Sequence, residues 1–194
     1  PIQEIRHARL RVSGYAFLNS REGSILSVFT GIIDFNAPIS DSLLSEQQAQ
    51  LKKGWKIERT SNAFFQGKEE HLMHWNSENW TIWLYQTESK ATERFGKLWQ
   101  QDPFSALDIL QDSFILIAFE KKRERYWIAR DSIGIKRLYW SKQGSKIFIS
   151  SDLKSLAKSP HISAELADEH LAEYLSFRYI HAPRTLFKNI ISIP

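Results

Sequence analysis

The side chains available for chemistry in this sequence are serine, threonine, histidine and charged groups, because its 194 residues include no cysteine. Disulfides, thiolate metal sites and a cysteine nucleophile are therefore closed to the chain as given. Of the six histidines (His7, His71, His74, His161, His170 and His181), only His71 and His74 lie close together. Spaced i, i+3 in a strand or turn, they do not converge on a cation, so surface positions and no metal site are expected. The densest basic run is KKRER (121–125), which lies between two strand-like stretches and reads as a solvated hairpin turn. The most organised cluster is ARDSIGIKRLYW (129–140). It could be an active-site loop, a basic patch for nucleic acid, or a well-made connection. In the last case Gly134 supplies the permissive turn and Ile133 and Ile135 tuck beneath it. Arg130 and Asp131 then satisfy loop backbone or each other, and Lys136 leads into the aromatic exit.

These residues need elements to hold them. SVFTGIIDF (27–35) is β-branched and aromatic and ends at Asn36-Ala37-Pro38, as a buried strand closed by a turn does. Ser40 or Asp41 can cap a short helix through Gln50 that Gly54 terminates. Residues 55–65, 71–75 and 80–85 read as strands. Ala91, Phe95, Leu98 and Trp99 recur at helical spacing, and Pro103 separates them from a second helical turn, SALDIL. FILIAFE (114–120) and RYWIARD (125–131) make the clearest hairpin, followed by KIFIS (146–150). Helices follow at 153–157 and 168–175, the latter with Asp168 and Glu169 where the helix dipole favours them. Trp80 and Trp83 fall inside a strand-like run, so core packing is the expected use of the tryptophans rather than sugar or base stacking. Residues 1–25 show no sustained period and read as an extension. Strand runs with helices outside them predict an α+β fold or a layered sandwich.

Composition agrees with a globular domain: 42% of residues are apolar and 25% charged. The net charge of +4 is scattered, so nucleic acid is not expected as a partner. No apolar run reaches the ~18 residues of a membrane span, and there is no signal layout, which makes the cytoplasm the default location.

Four stretches in order, FILIAFE, ARDSIGIKRLYW, ISSDLKSL (149–156) and LAEYLSFRYIHAPRTLFKNIISIP (171–194), resemble the asparagine synthetase family. They match the end of its class II glutamine amidotransferase domain running into its synthetase domain. GIIDF (31–35) is the best anchor to that family's first strand, MCGIAGIIDF. The resemblance implies a four-layer α/β/β/α N-terminal-nucleophile sandwich over residues 26–175. Residues 176–194 would begin a synthetase domain, so a fragment is expected. It also implies that ATP and Mg serve that missing domain, with no cofactor in this chain. The implied partners are the chain's own C-terminal synthetase domain and a small-molecule or peptide substrate, with a homodimer as an open alternative.

The family nucleophile is an N-terminal cysteine whose own amine is the base. Aligning GIIDF places Ser27 at that position; sliding TGI onto CGI places Thr30 there instead. Ser27 follows 26 residues, so its nitrogen is an amide and cannot act as base. Translation from Leu26 read as a start, or autocleavage before Ser27, would free it. By the same resemblance Gln86-Thr87 stand where the family has its Asn-Gly oxyanion pair, and Arg59 is the nearest basic residue to its substrate-carboxylate arginine. Arg130, Asp131, Gly134 and Lys136 carry over as a structural motif. The expected protein is therefore a glutaminase-like scaffold without glutaminase activity, similar to β-lactam synthetases and lasso-peptide cyclases. An active, Ser27-dependent or ammonia-using asparagine synthase is the alternative.

Overall fold

The computed structural model describes residues 2–5, 29–43, 45, 55–60, 63–68, 71–86, 92–110 and 113–193. The chain forms two compact units, one made of Pro1–Leu18 with Lys68–Lys136, the other of Asn19–Gly67 with Arg137–Pro194. Each is built on one antiparallel sheet, so the α+β expectation holds.

The first sheet runs in the order β1 (Ile2–Ile5), β8 (Arg125–Arg130), β7 (Phe114–Glu120), β6 (Trp80–Gln86), β5 (Leu72–Asn76). Its strands are runs of β-branched and aromatic residues, and strand alternation sends them to two faces. Ile82, Leu84, Leu116, Ala118 and Ala129 form one face, packed with Phe95, Trp99 and Ala106 from helices α1 (Thr92–Gln101) and α2 (Pro103–Asp108). Trp83, Tyr85, Ile115, Ile117, Tyr126 and Ile128 form the other, and all are buried. Each such side chain contributes ~1.5–3 kcal/mol of apolar transfer energy. Helix α2 starts where Asp102 accepts from the Phe104 amide (3.0 Å) and the Ser105 hydroxyl (2.6 Å), with Pro103 in its first turn. The basic run is the hairpin turn expected of it. Arg123 and Arg125 pair with Glu120 at 3.0 and 2.9 Å, and Lys121 bonds Asn76 and the Ser77 carbonyl.

The second sheet runs β11 (Ile191–Ser192), β9 (Tyr139–Gln143), β10 (Lys146–Ser150), β2 (Phe29–Asp34), β4 (Ala63–Lys68), β3 (Trp55–Arg59). Ile32, Phe64 and Phe148 face a core completed by Ile39, Leu43, Ile162, Ile190 and Leu156 of helix α3 (Leu153–Ala157). Asp152 caps α3 by accepting from Lys154 and Ser155 amides. Helix α4 (Asp168–Phe177) ends at Arg178 in the left-handed conformation (φ 63°).

Three readings need correction. The single strand expected over 55–65 is two, β3 and β4, and between them the Thr60 amide donates to the Ala63 carbonyl. Strands β1, β9 and β11 were not anticipated. Residues 2–5 pair with β8 in register Ile2 to Ala129 through Ile5 to Tyr126, so this part of the supposed extension is sheet. Of the helix expected through Gln50, residues 41–43 and 45 are helical and the remainder lies outside the described residues. No helix among the described residues is long and apolar enough to cross a membrane.

Gly31 shows how tightly β2 is packed. A Cβ there would sit 2.1 Å from Cδ1 of Phe65, its ladder partner, and 2.8 Å from the Phe64 carbonyl oxygen. Gly31→Ala should therefore destabilise the protein by ~1–3 kcal/mol through overpacking. Urea unfolding checks this, and an unchanged midpoint would show that the ring moves aside freely.

Candidate functional site

The turn after β8 is built around one carboxylate. Asp131, 8% exposed, accepts from the amides of Ile135 (2.7 Å) and Lys136 (3.0 Å), while its carbonyl accepts from the Gly134 amide (3.0 Å). Its own amide donates to the Phe114 carbonyl at 3.2 Å. Arg130 closes the turn by donating from Nη1 to the Lys136 carbonyl (3.2 Å). Gly134 has φ 74°, and a Cβ there would lie 2.9 Å from Arg130 Nη2. Only glycine meets both conditions without strain. The four motif residues are thus one backbone clamp, and charge assistance makes the Asp131 bonds the strong ones.

The clamp reverses one expectation. Ile133 and Ile135 do not tuck beneath the turn but are 58% and 64% exposed. The carboxylate occupies the interior, with amides converging on it, so the apolar side chains point outward. Lys136 lies with Nζ 5.3 Å from the Tyr85 ring centroid. Burial pushes its ammonium below the ordinary lysine range, and the Asp131 charge works against that shift.

Gln86 ends β6 opposite Phe114, is 7% exposed, and donates its amide to the His71 carbonyl (3.1 Å). Alternation puts Gln86 on the face of Ile82 and Leu84, under the helices, whereas Tyr85 is on the opposite face. The structure therefore gathers Arg130, Asp131, Gly134 and Lys136 with Tyr85, and leaves the Gln86 carboxamide on the other side of the sheet. Thr87 and Ser27 lie outside the described residues.

In the other unit, Thr30 is inside β2 and paired on both sides, with Ser150 of β10 and Gln66 of β4. Its hydroxyl donates to the Ile149 carbonyl at 3.0 Å. Arg59 ends β3 and is exposed. Two positions that sequence reasoning missed stand out here. Gln66 is 5% exposed, and its Oε1 has no partner among the described residues. Asp34 is 2% exposed and holds Lys146 (3.2 Å), Ser145 Oγ (2.8 Å) and the Asn36 amide (3.0 Å). Burial would raise the Asp34 pKa, but these hydrogen bonds and the Lys146 charge outweigh it, and the carboxyl stays below its ordinary value. A buried aspartate inside an apolar run, four residues after a threonine, was the available signal. At the start of β2, the Phe29 amide donates to Ser151 Oγ (3.0 Å), and the Ser151 amide returns a bond to the Phe29 carbonyl (2.9 Å). Ser151 belongs to the ISSDLKSL motif, so that motif holds the strand entry.

His71 and His74 are half-buried packing residues rather than the surface groups expected. His74 stacks on Trp83 at 5.6 Å, and His71 meets the Tyr85 ring edge-on at 5.7 Å. Trp83 is fully buried, as core packing requires.

Residues 83–194 match the family described as a glutamine amidotransferase domain. Glutamine-hydrolysing asparagine synthetase 3 of Bacillus subtilis (strain 168) is 30% identical over 96 residues, 49% of this chain and 15% of that protein. Asparagine synthetase 1 of the same organism, also glutamine-hydrolysing, is 31% identical over 77 residues, 40% of this chain and 12% of that protein. The chain thus matches a small part of each relative's length.

Two predictions follow from the carboxylates. Asp131→Ala leaves the Ile135 and Lys136 amides without their acceptor and should cost about 2–3 kcal/mol, read by urea unfolding; a loss under 0.5 kcal/mol would mean that solvent replaces the clamp. Asp34 has a folded pKa below its unfolded value near 3.9. Its stabilising contribution is complete above that unfolded value and disappears as pH falls through the folded one. Wild type should therefore lose more stability than Asp34→Asn on acidification below about pH 4, and parallel losses would contradict the assignment.

Proposed function

Since this chain belongs to the glutamine amidotransferase domain family, we propose that it is the glutaminase-like domain of a longer, ATP-dependent amide-forming enzyme and that it does not itself hydrolyse glutamine. The observation that carries this reading is the nucleophile. The chain has no cysteine, and the one described hydroxyl candidate, Thr30, has its peptide nitrogen within a strand paired on both sides. An N-terminal nucleophile needs its own free amine as general base, and a strand-interior amide cannot accept the proton. In the sequence as given, Ser27, the other candidate, follows a peptide bond, so its nitrogen is an amide there as well.

The oxyanion position weakens the chemistry further. By resemblance, Gln86-Thr87 replace an Asn-Gly pair, and a donor lost from such a hole typically reduces the rate ~10²–10³-fold. A β-branched Thr87 disfavours the backbone conformation that a glycine takes there.

The scaffold half of the reading rests on α4. None of its residues is buried, and Leu171, Tyr174, Leu175 and Phe177 are exposed, Leu175 by 66%. A helix with this much open apolar surface is what a further domain would cover. Its geometry is nonetheless set from within: Glu173 accepts from the His181 amide (3.1 Å), the His181 ring and Arg184 (3.1 Å), and His170 Nδ1 contacts the Thr185 carbonyl (2.6 Å). In this reading the two sheets belong to a four-layer N-terminal-nucleophile sandwich. ATP and Mg act in the further domain, where a carboxylate is activated and an amine closes the amide. No residue of this chain is assigned to those groups.

Purified protein supplied with glutamine should release no glutamate above a heat-treated control, and Ser27→Ala and Thr30→Ala should change nothing. Thermolabile hydrolysis abolished by Ser27→Ala would overturn the scaffold reading in favour of a serine-dependent glutaminase.

A further inference from the structure

Just beyond α4 the second unit brings a phenol, an imidazole and a carboxylate into contact. Left-handed Arg178 ends the helix, and the chain that follows returns His181 to Glu173 of α4. The His181 amide donates to Glu173 Oε1 at 3.1 Å, and the ring Nδ1 contacts the same oxygen. The other ring nitrogen, Nε2, lies 3.1 Å from the Tyr179 hydroxyl. The neighbouring backbone is pinned as well. Arg184 donates from its side chain to Glu173 Oε1 (3.1 Å) and from its amide to the His181 carbonyl (3.0 Å), while the Pro183 carbonyl accepts from the Ser192 amide of β11 (2.8 Å).

The proton positions follow from the acceptors. Hydrogen bonds from the His181 ring and amide, with the Arg184 charge, hold the Glu173 carboxyl below its ordinary range against the opposing effect of desolvation. An ionised carboxylate can only accept, so Nδ1 carries the proton of the neutral ring, Nε2 is left as an acceptor, and the Tyr179 hydroxyl donates to it. A hydroxyl bonded to a base that a third group orients is the arrangement by which a weak oxygen nucleophile is activated. Tyr179 is 41% exposed, open to a small reagent. Tyr174 on α4 is exposed to the same 41%, and among the described residues no base is bonded to its hydroxyl.

We infer that Tyr179 is a nucleophile for activated acyl donors, with His181 as its general base and Glu173 as the positioning residue that sets the imidazole tautomer. With p-nitrophenyl acetate as donor, the phenolic oxygen attacks the acetyl carbon, a new O–C bond forms, and the bond to the p-nitrophenolate leaving group breaks. The phenolic proton passes to His181 Nε2, and the Glu173 carboxylate balances the imidazolium charge. The products are acetylated Tyr179 and p-nitrophenolate. No step uses glutamine, Ser27 or Thr30, so failure here leaves the scaffold reading standing, and glutamine hydrolysis would leave the Tyr179 assignment intact.

The purified protein, treated briefly with p-nitrophenyl acetate near neutral pH and mapped by site-resolved mass spectrometry, should show Tyr179 acetylated at least about 10-fold faster than Tyr174, since a positioned general base typically contributes ~10²–10⁴-fold. His181→Gln, which keeps the backbone bond to Glu173, should bring Tyr179 down to the Tyr174 rate. Equal rates at the two tyrosines in the unaltered protein, or undiminished acetylation of Tyr179 in His181→Gln, would overturn the assignment. Nitrogen NMR of the His181 ring reads the positioning role separately. The Nδ1–H tautomer should dominate in the unaltered protein, give way in Glu173→Ala, and persist in Glu173→Gln, whose side-chain carbonyl still accepts. A tautomer that Glu173→Ala leaves unchanged would remove Glu173 from the relay.

Discussion

Strand β2 has a buried residue on each face and a neighbouring strand on each edge, and the second sheet is organised by the need to satisfy every one of its peptide groups. A buried amide or carbonyl left without a partner costs about as much as a lost hydrogen bond. From Thr30 to Ile33 the strand pairs with β10 on one side and β4 on the other. At one end Phe29 is held by Ser151, and at the other the Asp34 carboxylate holds Ser145 Oγ, the Lys146 ammonium and the Asn36 backbone amide. Packing tightens the same strand, since Gly31 has no room for a methyl group against Phe65. A strand held this completely is a good foundation for the sheet around it.

The Asp131 turn solves a local problem by the same means. The chain must leave β8 and enter β9 within a few residues, and the carboxylate collects the amides that the turn would otherwise strand. Nothing in that arrangement calls for a substrate. Arg130 supports the turn through the Lys136 carbonyl, and Gly134 leaves space for the guanidinium. The motif that marks the family therefore meets a demand of the backbone. A turn serving backbone satisfaction alone remains under the same physical demand whether or not the nearby sheet ends carry catalytic groups.

Strands and helices were legible where hydrophobic period and burial coincide. FILIAFE and RYWIAR are strands on both counts, and α3 falls on the residues expected of it. Legibility failed where pairing rather than composition defines the element. The sequence IQEI is too charged and short to announce a strand, and YWSKQ carries a buried Ser141 between Trp140 and exposed Lys142. Both are strands because a neighbour supplies the ladder. Site residues failed for a related reason. Ile133 and Ile135 look like candidates for burial until Asp131 is known to fill the turn, and His71 and His74 look polar until their rings are found against Tyr85 and Trp83. Arg130, Asp131 and Gly134 were legible because their constraint is local, confined to seven consecutive residues.

The charge distribution follows the same division between local and distant demands. A net charge of +4 suggests an anionic partner only if the cations are available. Arg123 and Arg125 are paired with Glu120, Lys121 serves Asn76 and Ser77, Lys146 holds Asp34, and Arg184 helps to fix Glu173. Each of these cations lies close enough to its partner for the Coulomb term to act locally, within the ~8–10 Å over which salt leaves such interactions unscreened. Among the described residues, these cations secure a hairpin, a strand end and the segment after α4 through the carboxylates and carbonyls they hold.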